Sequence, residues 1–453
     1  MTNKYDLLSK PSLANRLYNR LIRETIYPTI AILLSPIVVM MATYIVVIKN
    51  SYLKRALIPL TTTAKLTVLE AYHSIKWSDL ECWSVVGGLI LWGIISLHFP
   101  GRKYHGPPTP NGYRPEYWHS GFKYYIISMI IICPLIWKYS VLHLYYKIPN
   151  LMAILILFGI IFVFILYLKG LVFPDPGVCD ITKNPIFDFY WGIELYPHLG
   201  PFVSLKVLIV SRFGMFLWQL LALVAWKANY ELYIASYNRG HINWPLTTNV
   251  LLTSLYLAFK FYTEDNYMQS FDAIHDRFGF YLAWGSIAFL PGIYSLSSIY
   301  LVKHSPMEQF GLLSALVVLC LGAIAIYLTY CVDSQRSHCR QTNGKCNIWG
   351  QPAKVIRATY LDNYGITKRT VLLASGYWGI ARHINYTFEI LATFAICCPS
   401  LLTSPIPYIH LATVVAMLLH RTHRDNQRCA KKYGSHWKEY CQMVSYKMIP
   451  GLF

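Results

Sequence analysis

The feature that most constrains this chain is a succession of long, unbroken apolar runs. Ten stretches approach or reach the ~20 residues an α-helix needs to cross a ~30 Å hydrocarbon core. They are Ile26–Ile48, Trp83–Phe99, Tyr124–Tyr146, Leu151–Phe173, Lys206–Tyr230, Pro245–Tyr262, Phe278–Val302, Gly311–Cys331, Tyr386–Leu402 and Ile406–His420. The second, ninth and tenth are short. The runs are continuous rather than alternating, which selects helices over barrel strands. Composition agrees, with 55% apolar and only 13% charged residues, about half the ~25% charge of soluble domains. A soluble fold of 453 residues could not hide that much apolar surface. A disordered chain, a secreted disulfide scaffold and an ordinary cytosolic enzyme are excluded. The expectation is an all-α, polytopic membrane protein with about ten transmembrane helices.

Charge sets the orientation. The formal charge is +19, from 40 Lys+Arg against 21 Asp+Glu. The basic residues sit in short segments between apolar runs, the pattern of cytoplasmic loops facing anionic headgroups. A nucleic-acid binder would cluster them on a soluble domain instead, so membrane lipids are the expected partner and nucleic acid is not. Residues 1–25 carry Lys4, Lys10, Arg16, Arg20 and Arg23; the 332–385 segment carries eight Lys or Arg, and the tail after His420 seven. Ten spans place all three on one face, expected to be cytoplasmic. The segment 49–82, with five basic residues on the opposite side, runs against this. No small-residue cleavage site follows the first run, which reads as an anchor. The division expected is a basic N-terminus (1–25), transmembrane helices one to eight (26–331) and a C-terminal region (332–453) with helices nine and ten, the function sitting at or just inside the cytoplasmic face.

Several chemistries are excluded by motif. There is no G-x-G-x-x-G, no P-loop and no H-E-x-x-H. Eleven cysteines form no framework, and Cys331, Cys339 and Cys346 around His338 lack the C-x-x-C spacing of a zinc site. What stands out is a basic, aromatic C-terminal third. Arg336 and Arg340 are four apart and share a helical face, where two guanidinium groups could hold a phosphate; two arginines snorkelling to headgroups would look the same. Ser375-Gly-Tyr-Trp-Gly379 would let a flat ring approach the backbone, or place Trp378 in an interfacial belt. In the tail, Arg421, Asp425 and Cys429 fall on one helical face, with Tyr433 a turn further. Asp425, close after Arg421 and Arg424, is expected to pair with them.

The tail, Leu418-Leu-His-Arg-Thr-His-Arg-Asp-Asn-Gln-Arg-Cys-Ala-Lys-Lys-Tyr-Gly434, resembles the C-terminal signature of the integral-membrane sterol reductases. Gly192-Ile-Glu-Leu-Tyr-Pro-His198 is similar to a second signature of that family, and the likeness runs from about Thr109 to Phe453. Within the family, Gly344-Lys-Cys-Asn-Ile-Trp-Gly350, His275-Asp-Arg-Phe-Gly279 and Tyr281-Leu-Ala-Trp-Gly285 are similar to the branch that reduces the delta-7 bond of 7-dehydrocholesterol-type sterols. The chain departs from the family at Ser286, where Asp is common, and at Arg336 and Asp333, where the pattern has Lys and Asn.

The resemblance implies a pocket for NADPH built without a Rossmann fold. It places Arg336 and Arg340 at the phosphates, and Leu373 and Trp378 against the cofactor. Asn385 and Tyr386 are placed as its hydrogen-bonding partners, with Arg421, Asp425, Cys429, Lys432, Tyr433 and Tyr440 completing the pocket. The implied reaction reduces a sterol ring C=C by protonation and hydride capture. Tyr440 is the candidate acid, with Asp425 and Glu264 as further catalytic candidates. Because Tyr440 lies fifteen residues beyond Asp425, a bend at Gly434 is required to fold it back. The alternatives are reduction of a sterol delta-14 bond, or a membrane methyltransferase using S-adenosylmethionine. The resemblance places the protein in the endoplasmic reticulum membrane of a eukaryote or the inner membrane of a bacterium, with both termini cytoplasmic.

Overall fold

The computed structural model describes all residues except 1–19, 49–68, 72, 107–111, 176–178, 201–202, 236–241, 269, 362–366 and 453. Lys4, Lys10 and Arg16 and most of the basic 49–82 segment lie outside the described residues.

Among the described residues, seven helices are long and apolar enough to cross a membrane. They are α1 (Ile22–Val47), α2 (Leu80–Leu97), α3 (Gly121–Lys138), α4 (Ile148–Val172), α5 (Val207–Tyr233), α7 (Phe280–His304) and α8 (Leu312–Gln341), with α6 (Trp244–Tyr262) between the fifth and sixth of these. The first five, the seventh and the eighth apolar runs fall on the seven. The sixth run is α6, whose 19 residues carry Lys260 and several polar side chains. The ninth is α9 (Ile384–Cys397), only 14 residues before it tightens into a 3₁₀ turn at Pro399. The tenth opens α10 (Ile409–Tyr433), whose second half is cationic. A short helix, α11 (Ser435–Met443), follows.

Membrane helices must satisfy every backbone group internally, and here they also bury polar joints. Asp79 caps α2 by accepting from the Glu81 and Cys82 N–H groups. Gly192 (φ +96°) and Gly279 abut backbone to backbone where a Cβ on either would collide. Glu194 accepts from Lys169 at 2.9 Å and from the Asp175 N–H at 2.7 Å. Two of the sequence signatures therefore meet at one structural joint near the end of α4.

The chain is mostly helical, but not wholly so. Among the described residues, four two-stranded antiparallel ribbons qualify the all-α expectation: β1 (Arg102–His105) with β2 (Glu116–His119), β3 (His198–Leu199) with β4 (Val203–Ser204), β5 (Asn347–Ile348) with β6 (Gln351–Pro352), and β7 (Val355–Leu361) with β8 (Thr367–Leu373). The last is a seven-residue ladder, Val355 opposite Leu373 through Leu361 opposite Thr367. Its sequence alternates, so Ile356 and Ala358 face inward while Arg357 and Thr359 face out. The buried face of this hairpin closes over Cys429, Tyr433, Trp437 and Tyr440.

Candidate active site

The candidate residues converge where the extension of α8, the β7–β8 hairpin, the start of α9 and the cationic half of α10 meet. Helix α8 runs ten residues past the eighth apolar run, carrying Arg336 and Arg340 out of the apolar zone on one continuous helix. The Arg336 guanidinium lies 4.5 Å from the Trp378 ring centroid and donates to Asp333 at 3.2 Å. The Trp378 indole N–H donates to the Val332 carbonyl at 2.8 Å, and its ring packs with Leu373 in one buried cluster. Trp378 is thus held by the protein's own core, with one face under a guanidinium. The approach that Gly376 (φ +62°) permits is made by the Gln335 side chain and Ile348, not by a flat ring. Gln335 accepts from the Tyr377 N–H at 2.9 Å.

Helix α10 delivers the second row. Cys429 donates to Asp425 at 3.8 Å, as their i, i+4 spacing requires. Lys432 sits 4.0 Å above the Tyr360 ring, and Tyr360 meets Tyr433 edge-on. Arg340 has Arg336, Tyr433, Cys429 and Asp425 as electrostatic neighbours, so the two rows face one another. Burial, aided by Asp425, pushes the Cys429 thiol up to about 12, and burial likewise pushes Tyr433 up to about 12.

The expected pairing of Asp425 with Arg421 and Arg424 is corrected. Arg421 pairs with Asp272, and Arg424 donates to Asp276 at 2.6 and 3.2 Å while its guanidinium also lies over Trp191 and Phe271. Asp272 belongs to the short helix Phe271–His275, and Asp276 follows it. Lys206 fixes that helix by donating to the carbonyls of Asp272, Ala273 and Asp276 at 3.1, 2.9 and 2.8 Å. These partners, about 150 positions away in sequence, win because they are anions delivered to the face Arg421 and Arg424 already present. Asp425 is left beside Arg428 (3.7 Å), Cys429 and His383 (3.8 Å).

Gly434 (φ +54°) breaks the helix and returns α11, so the required bend is present. Tyr440 is buried beneath the hairpin, with its hydroxyl directed to the Trp378 carbonyl at 3.4 Å. Burial raises its pKa above the ordinary phenol value, against the pull of Arg382 and Arg336. Tyr440 and Asp425 share no hydrogen bond. Cys429 stands between, packed in the cluster of Tyr440 and bonded to Asp425.

Glu264 is not brought to this cluster. It is buried with Arg212 in a bidentate pair and also accepts from Ser211 at 2.8 Å and the Gly121 N–H at 2.9 Å. Burial opposes its charge, but Arg212 and these hydrogen bonds hold its pKa below the usual carboxylate value. Every acceptor site on it is committed to joining α3 to α5.

The C-terminal cluster, by contrast, is incompletely satisfied. Asn385 donates to Asp333 at 3.4 Å, yet its Oδ1 is buried without a partner. Arg340, Arg382 and Lys432 have no carboxylate within ion-pair range among the described residues. Tyr386 lies 5.9 Å from the Arg421 guanidinium. An anionic ligand that also donates a hydrogen bond fits both deficits. On the membrane side stand polar groups that the sequence reading missed. Tyr256 donates to Glu389, Lys260 donates to the same carboxylate at 3.0 Å, and Tyr294 stacks on buried His410. Apolar runs conceal such residues, because one polar side chain per turn leaves the hydropathy of a span high.

The chain is thus a polytopic, mostly helical membrane protein with a cationic, aromatic side-chain cluster in its C-terminal third. The family comparison makes that particular. Residues 22–453 match the Ergosterol biosynthesis ERG4/ERG24 family, and the chain belongs to it. It is 36% identical over 382 residues to 7-dehydrocholesterol reductase of Arabidopsis thaliana, covering 84% of this chain and 85% of the relative. Against 7-dehydrocholesterol reductase of Xenopus laevis it is 31% identical over 364 residues, 78% of this chain and 74% of the relative. Against Delta(14)-sterol reductase of Methylotuvimicrobium alcaliphilum it is 30% identical over 391 residues, 83% of this chain and 86% of the relative. The match makes the chain a membrane oxidoreductase of sterol biosynthesis and gives the methyltransferase alternative no support.

Proposed function

We propose that this protein reduces a ring double bond of a sterol with NADPH, and that the bond is the delta-7 bond of a 7-dehydrosterol. The observation that carries the cofactor assignment is the unanswered chemistry around α8 and α9. Arg336 and Arg340 stand together, and the buried Asn385 Oδ1 has no donor. NADPH would supply the hydride and, through its phosphates, the negative charge this pocket lacks.

The residues divide the work by chemistry. Arg336 and Arg340 hold phosphate, Asn385 takes a hydrogen bond from the cofactor, and Leu373 and Trp378 form an apolar wall. Arg421, Asp425, Cys429, Lys432, Tyr433 and Tyr386 complete the pocket along the cationic half of α10 and the start of α9. Tyr440 holds a proton at its Oη and can release it only into dry, cation-lined surroundings; protonation of one alkene carbon leaves the other electron-poor and ready for hydride. We place this region on the cytoplasmic side, where the basic segments gather.

The delta-7 assignment rests on the relatives and on the residues shared with that branch. Ser286, which replaces a common Asp, donates its hydroxyl to the Leu282 carbonyl at 2.7 Å and presents no charge to a substrate. The test is NADPH oxidation by the detergent-purified protein with a sterol panel and product analysis. Saturation of the delta-7 bond supports the proposal; saturation of a delta-14 bond alone moves the assignment to the other named activity.

A further inference from the structure

His383 is not among the residues assigned to the pocket, yet it touches two of them, Tyr386 and Asp425. Its ring lies parallel to Tyr386, with centroids 5.0 Å apart and planes 9° apart. Its Nε2 is 3.8 Å from the Asp425 carboxylate. The side chain is buried, and its backbone is pinned by the C-terminal segment. The His383 N–H donates to the Lys447 carbonyl at 2.8 Å, the Arg382 N–H to the Tyr446 carbonyl at 3.0 Å, and the Thr387 hydroxyl to the Met448 carbonyl at 2.8 Å.

We infer that His383 is a positioning residue, which holds Asp425 and Tyr386 in register for the reaction. This rests on the reading of the site as a reductase pocket. The charged groups that face the ring are Arg336 from α8, its chain neighbour Arg382, and Arg421 and Asp425 from α10. Burial, with three guanidinium groups against one carboxylate, keeps the imidazole neutral. A neutral ring carries one N–H, and the nitrogen aimed at an anion is the one that keeps it. The Nε2–H therefore faces Asp425 at 3.8 Å, an electrostatic contact longer than a hydrogen bond. Without that donor, Asp425 is free to turn to Arg428, 3.7 Å away on its own helix. The stacked Tyr386 would lose its backing in the same event. His383 thus couples the start of α9 to the polar stripe of α10 without contacting cofactor or sterol itself.

The test uses the full-length protein in detergent with two variants. His383→Phe keeps a flat ring for Tyr386 but has no N–H; His383→Gln keeps an N–H donor but loses the ring. NADPH affinity is read by fluorescence titration, turnover by NADPH oxidation with the active sterol, and folding by thermal stability. A donor role predicts that His383→Phe binds NADPH within about threefold of wild type but turns over about 10–100-fold more slowly, the scale for partners that orient a functional group. His383→Gln should recover at least half of the loss on a logarithmic scale. Wild-type turnover in His383→Phe overturns the inference, as does an equal loss in both variants that tracks lowered thermal stability. Wild-type protein inactive on every sterol sinks the reductase reading and this inference with it, a result distinct from active wild type with indifferent variants.

Discussion

Two arginine–carboxylate arrangements, the fully buried Arg212–Glu264 pair and the part-exposed Arg336–Asp333 pair, are built to opposite specifications. Arg212 and Glu264 form a closed unit in which the carboxylate accepts from Arg212, Ser211 and the Gly121 backbone. Arg336 shares one carboxylate, Asp333, with Asn385, whose own oxygen goes unanswered, and Arg340 beside it has no acidic partner among the described residues. A buried pair whose carboxylate is fully satisfied is a joint: removing one member strands a charge. A half-satisfied one is an invitation to a ligand. That difference demotes Glu264, a further catalytic candidate in the sequence, and favours the C-terminal cluster as the site.

The contrast is sharpest between the two candidate acids. Tyr440→Phe should leave NADPH affinity unchanged and cut turnover by ~10²–10⁴, the range for a general acid. Glu264→Gln should instead lower stability by about 3–5 kcal/mol, because Arg212 is left uncompensated, in a thermal or denaturant unfolding measurement. A stable Glu264→Gln protein with abolished turnover would reverse the assignment of the two residues.

The pH dependence of stability gives the next largest effect. Burial, reinforced by Arg336, Arg382 and Arg421, lowers the pKa of His383 from 6.5 to about 4 despite Asp425. In that window the unfolded chain binds a proton that the folded protein refuses. Stability should therefore fall as pH drops from 6.5 toward 4, by up to ~3 kcal/mol for this group, and level off below. His383→Gln should flatten its share of that slope. His275, lowered to about 3 chiefly by burial, keeps its own.

Arg336→Ala and Arg340→Ala should each weaken NADPH binding by about 1.5–3 kcal/mol, the range for hydrogen bonds to charged groups, with little change in unfolding temperature. NADH should bind both variants much as it binds wild type if these residues meet the 2′-phosphate. Lowered stability without an affinity change would mean that the two arginines only close the α8 surface.

The sequence made some of this legible and hid the rest for physical reasons. Seven spans could be read directly because lipid demands a long continuous apolar run. The Arg336–Arg340 face and the Arg421–Asp425–Cys429 stripe were visible because helical spacing is local. The partners of Arg421 and Arg424 were not: Asp272 and Asp276 lie about 150 residues upstream, and nothing in spacing links them. The β7–β8 hairpin went unread although Val355-Ile-Arg-Ala-Thr-Tyr360 alternates, because the surrounding helical runs set the expectation. His383 was overlooked because a lone histidine beside a helix start has no periodic signature. Its meaning comes only from Tyr386 and Asp425 arriving on either side.

The most direct test of the central account is the fate of the cofactor's hydrogen. Purified protein would be given NADPH deuterated at nicotinamide C4 together with a 7-dehydrosterol, and the product analysed by mass spectrometry. The account predicts one deuterium on the reduced sterol, carried on one carbon of the former delta-7 bond, with the other carbon taking its hydrogen from solvent. Product formed without label, or label lost equally in the absence of protein, would contradict it.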